Sequence, residues 1–330
     1  MGAGVGLFIT LIALKSSYII KADPDTLLTI QTFSGPTFHT AGISAVLALT
    51  GVLLTAYLMH RKVMGALLFG ILGTWILGII CELTGLYHVQ EGFPSLLPHF
   101  NLNAFTQPFH SFCDLFGSAF DVEQWHHKSS GNSGWNLLFS VDFMIICFAF
   151  LFTDFFDTIG TTSGAVANTP LMKENGDIPR LNKILLADSA ATFFGGILGT
   201  STTTTFAESA VGISAGARTG LAGLTAAILF LVSLICAPVF LAIPGFATAP
   251  ALIIVGFLMI KSITKIDWDD ITNAIPAYML LIGIAFTYNI SNGLGLGIIF
   301  YTILNCRIKG RINWVLWFIS ALFIIKYVCS

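Results

Sequence analysis

Apolar runs close to the length of one bilayer crossing recur from one end of the chain to the other. They place spans at roughly residues 2–20, 40–58, 64–81, 137–158, 184–199, 221–243, 248–262, 272–290, 293–306 and 313–329. About 20 helical residues cross a hydrocarbon core of ~30 Å. A helix also satisfies its own backbone where no water can. One stretch breaks the pattern. Residues 200–206 read Thr-Ser-Thr-Thr-Thr-Thr-Phe, and β-branched side chains favour extended backbone. A short helix is expected from near Ala207. Residues 200–217 therefore read as one crossing, half strand and half helix. Non-helical backbone at that depth is tolerated only where protein or a polar cavity covers it.

Composition sharpens this picture. Of 330 residues, 55% are hydrophobic and only 10% charged, against about 25% charged in a soluble domain. Lipid is the natural solvent for such a chain, and the expected location is a plasma membrane, that of a bacterial inner membrane, crossed many times. The 29 Phe and 32 Gly suit lipid-facing surfaces and close helix packing. A net charge of −2 argues against a nucleic-acid partner. The six cysteines form no C-x-x-C pair and read as inert thiols. The first run lacks the basic start and small-residue cleavage site of a signal peptide.

Basic residues orient the spans. His60, Arg61, Lys62, Lys173, Arg180, Lys183, Arg218, Lys261, Lys265, Arg307, Lys309 and Arg311 share one side if the spans alternate and 200–217 counts once. That side should be cytoplasmic, and the last run places the C-terminus outside. The opposite side holds an acidic loop, residues 83–135, with His88, His99, His110, His126 and His127. Their spacings match no familiar metal site, so the loop reads as solvated and no metal is expected.

Acids inside apolar spans carry the functional signal. An Asp at a helix centre costs about 2.5–3.5 kcal/mol on insertion scales, so each needs a partner or a task. Asp154 and Asp157 are three residues apart and share a helix face. Thr158, Gly160 and Thr161 lie beside them. Asp188 sits in "LLADSAATFFGGILGT", and Glu208 would fall in the first turn of the helix after the threonines. A helix bearing acids beside a discontinuous crossing is how secondary transporters build a midplane site. Carboxylates suit a planar heterocycle that offers N–H donors, and one that gains and loses a proton supplies coupling.

The stretches "DFFDTIGT", "LLADSAATFFGGILGTSTTTTFAESAVGISAGARTGLAG" and "ATAPALIIVGFLMIKSITKIDWDDITNAIPA" resemble the nucleobase/ascorbate transporter superfamily, in its AzgA-like guanine/hypoxanthine permease branch. The resemblance implies an all-α polytopic membrane protein with inverted repeats, a core domain and a gate domain. Residues 1–82 would be the first half of the gate (spans five to seven), and 83–135 an extracytoplasmic loop. Residues 136–243 would be the second half of the core (spans eight to eleven). Residues 244–330 would be the second half of the gate with a C-terminal apolar segment. Spans one to four would be missing. The segments "IALKS" and "LMIKS" occupy corresponding places in the two gate halves.

The resemblance also implies the site. Asp157 and Glu208 match acids that contact the base in spans eight and ten. Thr161 stands where uracil carriers of the superfamily place a histidine linked to proton coupling. Thr205 and Ala207 join the substrate contacts. Asp157, Glu208, Asp154 and Asp188 are the proton-coupling candidates. No cofactor is implied beyond the coupling proton, with Na⁺ as its alternative. The partners are a purine nucleobase (hypoxanthine, guanine or adenine), membrane lipid and, by analogy with superfamily relatives, a second copy in a homodimer. The function implied is purine import by proton symport, in a transporter and not an enzyme. Rival readings are a uracil or xanthine carrier of the same fold and a truncated remnant that does not transport. An intramembrane aspartyl protease needs aspartates on facing helices and a G-x-G-D motif, and the chain lacks that motif.

Overall fold

The computed structural model describes residues 1–25, 27–31, 37–89, 96–97, 102–121, 135–166, 178–206, 209–310 and 314–329. In chain order the elements are helix α1 (Gly2–Ser16), strands β1 (Ile20–Asp23) and β2 (Leu27–Ile30), and α2 (Ile43–His60), entered through a π-turn at Phe38–Gly42. Next come α3 (Ala66–Leu83), α4 (Leu102–Leu115), α5 (Trp135–Leu138), α6 (Val141–Val166) and α7 (Leu181–Leu198). The chain continues with α8 (Ser209–Ser214), α9 (Gly220–Ile235), α10 (Ala237–Leu241), α11 (Gly245–Ile260), α12 (Ile271–Thr287), α13 (Ile290–Lys309) and α14 (Trp314–Cys329). Among the described residues four helices are long and apolar enough to cross a membrane, at Phe38–His60, Ala66–Leu83, Leu181–Leu198 and Gly245–Thr264. Shorter apolar helices occupy Gly2–Ser16, Gly220–Ile235, Ile271–Thr287 and Trp314–Val328. The protein is thus mostly helical, as a polytopic membrane transporter should be.

Several expectations need correction. The run 2–20 is helical only to Ser16, and Ile20 opens an antiparallel hairpin with Ile20 opposite Ile30. The run 221–243 divides at Cys236 into α9 and α10. Pro238 at the start of α10 has no N–H to continue the ladder. The loop 83–135 carries a 14-residue helix, α4. The span placed at 137–158 starts at Val141 and runs to Val166, so Asp154 and Asp157 lie well inside it and not at its end. Residues 200–206 form neither helix nor hydrogen-bonded strand. His99, His126, His127, Ala207 and Glu208 lie outside the described residues.

Contacts divide the chain into two compact units. One comprises Ile9–His110 and Val211–Leu258. Its core gathers Ala13, Ile43, Ala45, Leu47, Ala48, Trp75, Phe246, Ala247 and Ala249. Small residues bring the helices close. The backbone of Gly51 lies against Thr74 and Pro250, and that of Gly70 against Thr55. Both threonines turn their hydroxyls to their own helices, Thr55 to the Gly51 carbonyl and Thr74 to the Gly70 carbonyl, at 2.7 Å each. In lipid that leaves no polar group unmet. The helix α9 has no buried residue, and its Leu221, Phe230 and Leu231 are exposed.

The other unit comprises Met1–Phe8, Ser111–Ala210 and Met259–Ser330. Two helices pack at a glycine crossing, where Gly283 of α12 meets Gly293 of α13. Asp270 caps α12 by accepting from Thr272 N at 3.0 Å, and Asn289 caps α13 by accepting from Ser291 N at 2.9 Å. Phe323 of α14 is fully buried with Leu294 and Ile319, and Phe152 and Phe156 of α6 pack on this cluster. The glycine face of α6 receives the chain start, with Gly2 against the Gly160 carbonyl and Gly164.

A Cβ at Gly293 would overlap the backbone of Ile284. Gly293→Val should therefore destabilise this unit by about 1–3 kcal/mol, the usual cost of overpacking. Gly223→Ala, with open space around its Cβ, should not. Thermal unfolding of detergent-solubilised protein checks both.

Candidate functional site

Asp154, Asp157 and Asp188 fall in one unit, and the threonine segment bonds two of them, Asp154 and Asp188. The helix α7 ends at Gly199, whose φ of +76° is left-handed backbone that glycine adopts at little cost. The chain then folds back along α7. Thr200 N donates to the Gly195 carbonyl at 2.9 Å. A Cβ at Gly195 would sit 2.9 Å from both the Thr200 and Thr203 hydroxyl oxygens, so glycine there lets the returning segment lie flat.

From that point the segment runs between α6 and α7, and successive residues address alternate helices. Thr202 Oγ1 donates to Asp154 Oδ1 of α6 at 2.5 Å. The Thr203 carbonyl accepts from Thr192 Oγ1 of α7 at 3.0 Å. Thr204 Oγ1 meets Thr158 Oγ1 of α6 at 2.9 Å. Thr205 turns its N–H and hydroxyl to the Asp188 carboxylate of α7. The contacts climb α6 from 154 to 158 and descend α7 from 192 to 188. Two residues of extended chain rise about 6.6 Å, and four residues of helix about 6.0 Å. The two repeats nearly match, so each second threonine finds the same face of the same helix one turn on. Side chains do here what a neighbouring strand does in a sheet. The hydroxyl and β-branch of threonine serve both needs, which accounts for the run of four.

Further bonds tie the helices directly. Thr158, fully buried, donates to Asp188 Oδ2 at 2.8 Å. Asp154 and Asp188 lie near enough to Asp157 to interact with it electrostatically. Asp157 Oδ1 is buried and has no hydrogen-bond partner among the described residues. Thr161 is buried too, and its hydroxyl donates to the carbonyl of Asp157 at 2.8 Å. Among the sequence candidates, then, Asp154, Asp157, Asp188 and Thr205 come together, Thr161 turns to its own helix, and Ala207 and Glu208 lie outside the described residues. Thr192 and Thr204 were not singled out individually, although Thr192, one turn after Asp188, shares its helix face.

Two open cavities flank the cluster. One, of about 580 Å³, is lined by Arg180, Lys183, Asp188, Thr203, Thr204 and Thr205 among others. The second, of about 700 Å³, is lined by Phe150, Asp154, Phe155, Asp188, Thr192 and Thr202 among others. Both fall in the size range of small-molecule sites. Asp188 borders both. Arg180 and Lys183 place positive charge where the first opens toward the start of α7. No group of three or more metal-ligating side chains occurs among the described residues.

The family model Xan_ur_permease, described as the Permease family, matches residues 1–296. The chain is similar to guanine/hypoxanthine permease PbuG of Bacillus subtilis (strain 168), 37% identical over 332 residues, which cover 99% of this chain and 67% of that protein. Guanine/hypoxanthine permease PbuO of the same bacterium is 38% identical over 303 residues, covering 91% of this chain and 62% of PbuO. Adenine permease AdeP of Escherichia coli (strain K12) is 30% identical over 333 residues, covering 99% and 65%. The chain spans about two thirds of the length of these relatives.

If side chains hold the extended segment, Thr192→Val and Thr202→Val should each speed amide hydrogen exchange across 200–206. The expected factor is about tenfold, for bonds worth about 1–1.5 kcal/mol. Thr225→Val, whose hydroxyl bonds only the carbonyl of Leu221 in its own helix, should leave that segment unchanged.

Proposed function

Because the chain belongs to the Permease family of nucleobase/ascorbate transporters, we propose that it carries purine nucleobases into the cell by proton symport. One observation carries this reading: a buried Asp157 oxygen without a partner among the described residues. It lies beside a carboxylate–threonine cluster built on a non-helical membrane segment. An acceptor left unmet in a dry environment costs about 1–3 kcal/mol, more when charged. A purine ring N–H that donates to it recovers that cost. The printed names of PbuG, PbuO and AdeP point to the same ligand class.

In this reading Asp157 is one acceptor for the base. Glu208, three residues beyond the last threonine of the ladder in sequence, is the second. Asp154 and Asp188 hold the segment through Thr202, Thr158 and Thr205, and one of the cluster's carboxyl groups takes up the coupling proton. In this reading residues 136–243 are the second half of the core and carry the site, and residues 1–82 and 244–330 are the first and second halves of the gate. Two acids suit a neutral base with N–H groups. An anion would call for a cation or bare helix ends instead.

Cells lacking their own purine permeases and expressing the chain should accumulate radiolabelled hypoxanthine, with guanine or adenine competing and uracil not. Accumulation should collapse when the proton gradient is dissipated. Asp157→Ala and Glu208→Ala should each cut uptake at least about tenfold, as loss of one charge-assisted hydrogen bond implies. Uptake like wild type in both variants, or indifference to the proton gradient, contradicts the proposal.

A further inference from the structure

The hydrogen inventory of three side chains fixes a direction. Asp188, when ionised, only accepts, and each threonine hydroxyl has one hydrogen to give. Thr158 gives its hydrogen to Asp188 Oδ2, 2.8 Å away. The 2.9 Å contact between Thr158 Oγ1 and Thr204 Oγ1 must then use the hydrogen of Thr204. Thr204 lines the 580 Å³ cavity with Asp188. With its hydrogen held by Thr158, it can offer that cavity only lone pairs.

We propose that Thr204, Thr158 and Asp188 form a reversible hydrogen-bond relay. Through it, protonation of Asp188 turns the Thr204 hydroxyl from an acceptor into a donor toward the cavity. A proton from cavity water adds to the carboxylate. The new O–H donates to Thr158 Oγ1, the Thr158 hydrogen swings to Thr204 Oγ1, and the Thr204 hydrogen is freed to point into the cavity. One O–H bond forms on Asp188, and the two hydroxyls only rotate. A purine carbonyl oxygen or bare ring nitrogen then meets a donor when the proton is present and an acceptor when it is absent. Base and proton consequently bind together.

The inference rests on the purine reading of the site. It makes Thr158 a positioning residue, since it touches no ligand and acts through Thr204. Among the described residues, the charged groups facing Asp188 are Asp154 and Asp157 from α6, with Lys183 of α7 and Arg180 just before it along the same cavity. The described part of the segment contributes hydroxyl and N–H groups only. Protonation of Asp188 is the input to the relay. The relay sets what that titration does.

The test is equilibrium binding of radiolabelled hypoxanthine to the full chain in nanodiscs, from acid to alkaline pH. Wild type should lose about tenfold in affinity as pH rises, the worth of one good hydrogen bond. In Thr158→Val the Thr204 hydroxyl is free at every pH, so its profile should be flat, as should that of Asp188→Asn. Thr158→Ser should restore the slope. A wild-type slope in a folded, monodisperse Thr158→Val overturns the relay and leaves the purine reading intact. No hypoxanthine binding by wild type at any pH refutes the purine reading instead. The relay is then judged without ligand, by the infrared carboxylic C=O band that Asp188→Asn removes. Thr158→Val should shift that band while Thr158→Ser holds it, and an unmoved band in Thr158→Val contradicts the relay.

Discussion

Everything distinctive about the site follows from one constraint: extended backbone inside a membrane must find polar partners without water. A sheet would supply them from a second strand, and among the described residues none lies beside 200–206. Two antiparallel helices supply them instead, because the rise of two extended residues nearly equals the rise of one helical turn. Thr202 and Thr204 reach α6 while Thr203 and Thr205 reach α7. Gly195 and Gly199 are the geometric conditions for that fit, one clearing space and the other turning the chain. A serine run would keep the hydroxyls but lose the β-branch that favours extension.

The same constraint explains why so many acids tolerate one another within an apolar protein. Asp154 and Asp188 accept from threonine hydroxyls, so their cost in lipid is offset by charge-assisted bonds that also position the segment. Asp157 is different. Its Oδ1 is buried with no partner among the described residues. Structural acids are satisfied internally, and the acid with an unmet oxygen is the natural place for a ligand. In the proposed function the cluster joins the architecture of the crossing to the recognition of a base.

Much of the fold was legible because lipid simplifies the code. Apolar length marks helices, and the boundaries of α2, α3, α7 and α13 lie within a few residues of the runs that announce them. The hairpin at 20–30 and the helix α4 were not legible, because neither carries the long apolar run that defines a span. The end of α6 was hidden by its Thr- and Gly-rich last turns, where weak helix formers are held by packing against the chain start. Within the site, Asp154, Asp157 and Asp188 announced themselves as acids in apolar surroundings. The β-branched run announced extended backbone but not its partners. The contact of Thr158 with Asp188 joins residues 30 apart, and no local pattern encodes it. The bond from the Thr161 hydroxyl to the turn before it is a helix-internal partner that residue type alone does not announce.

The central claim is that the carboxylate–threonine cluster binds a purine and a proton as one event. Calorimetry of hypoxanthine binding in buffers of differing ionisation enthalpy counts the protons taken up with the base. The account requires about one proton per purine bound in the wild-type chain, since a single carboxyl group of the cluster is filled. Purine binding with no proton uptake across all the buffers would contradict it.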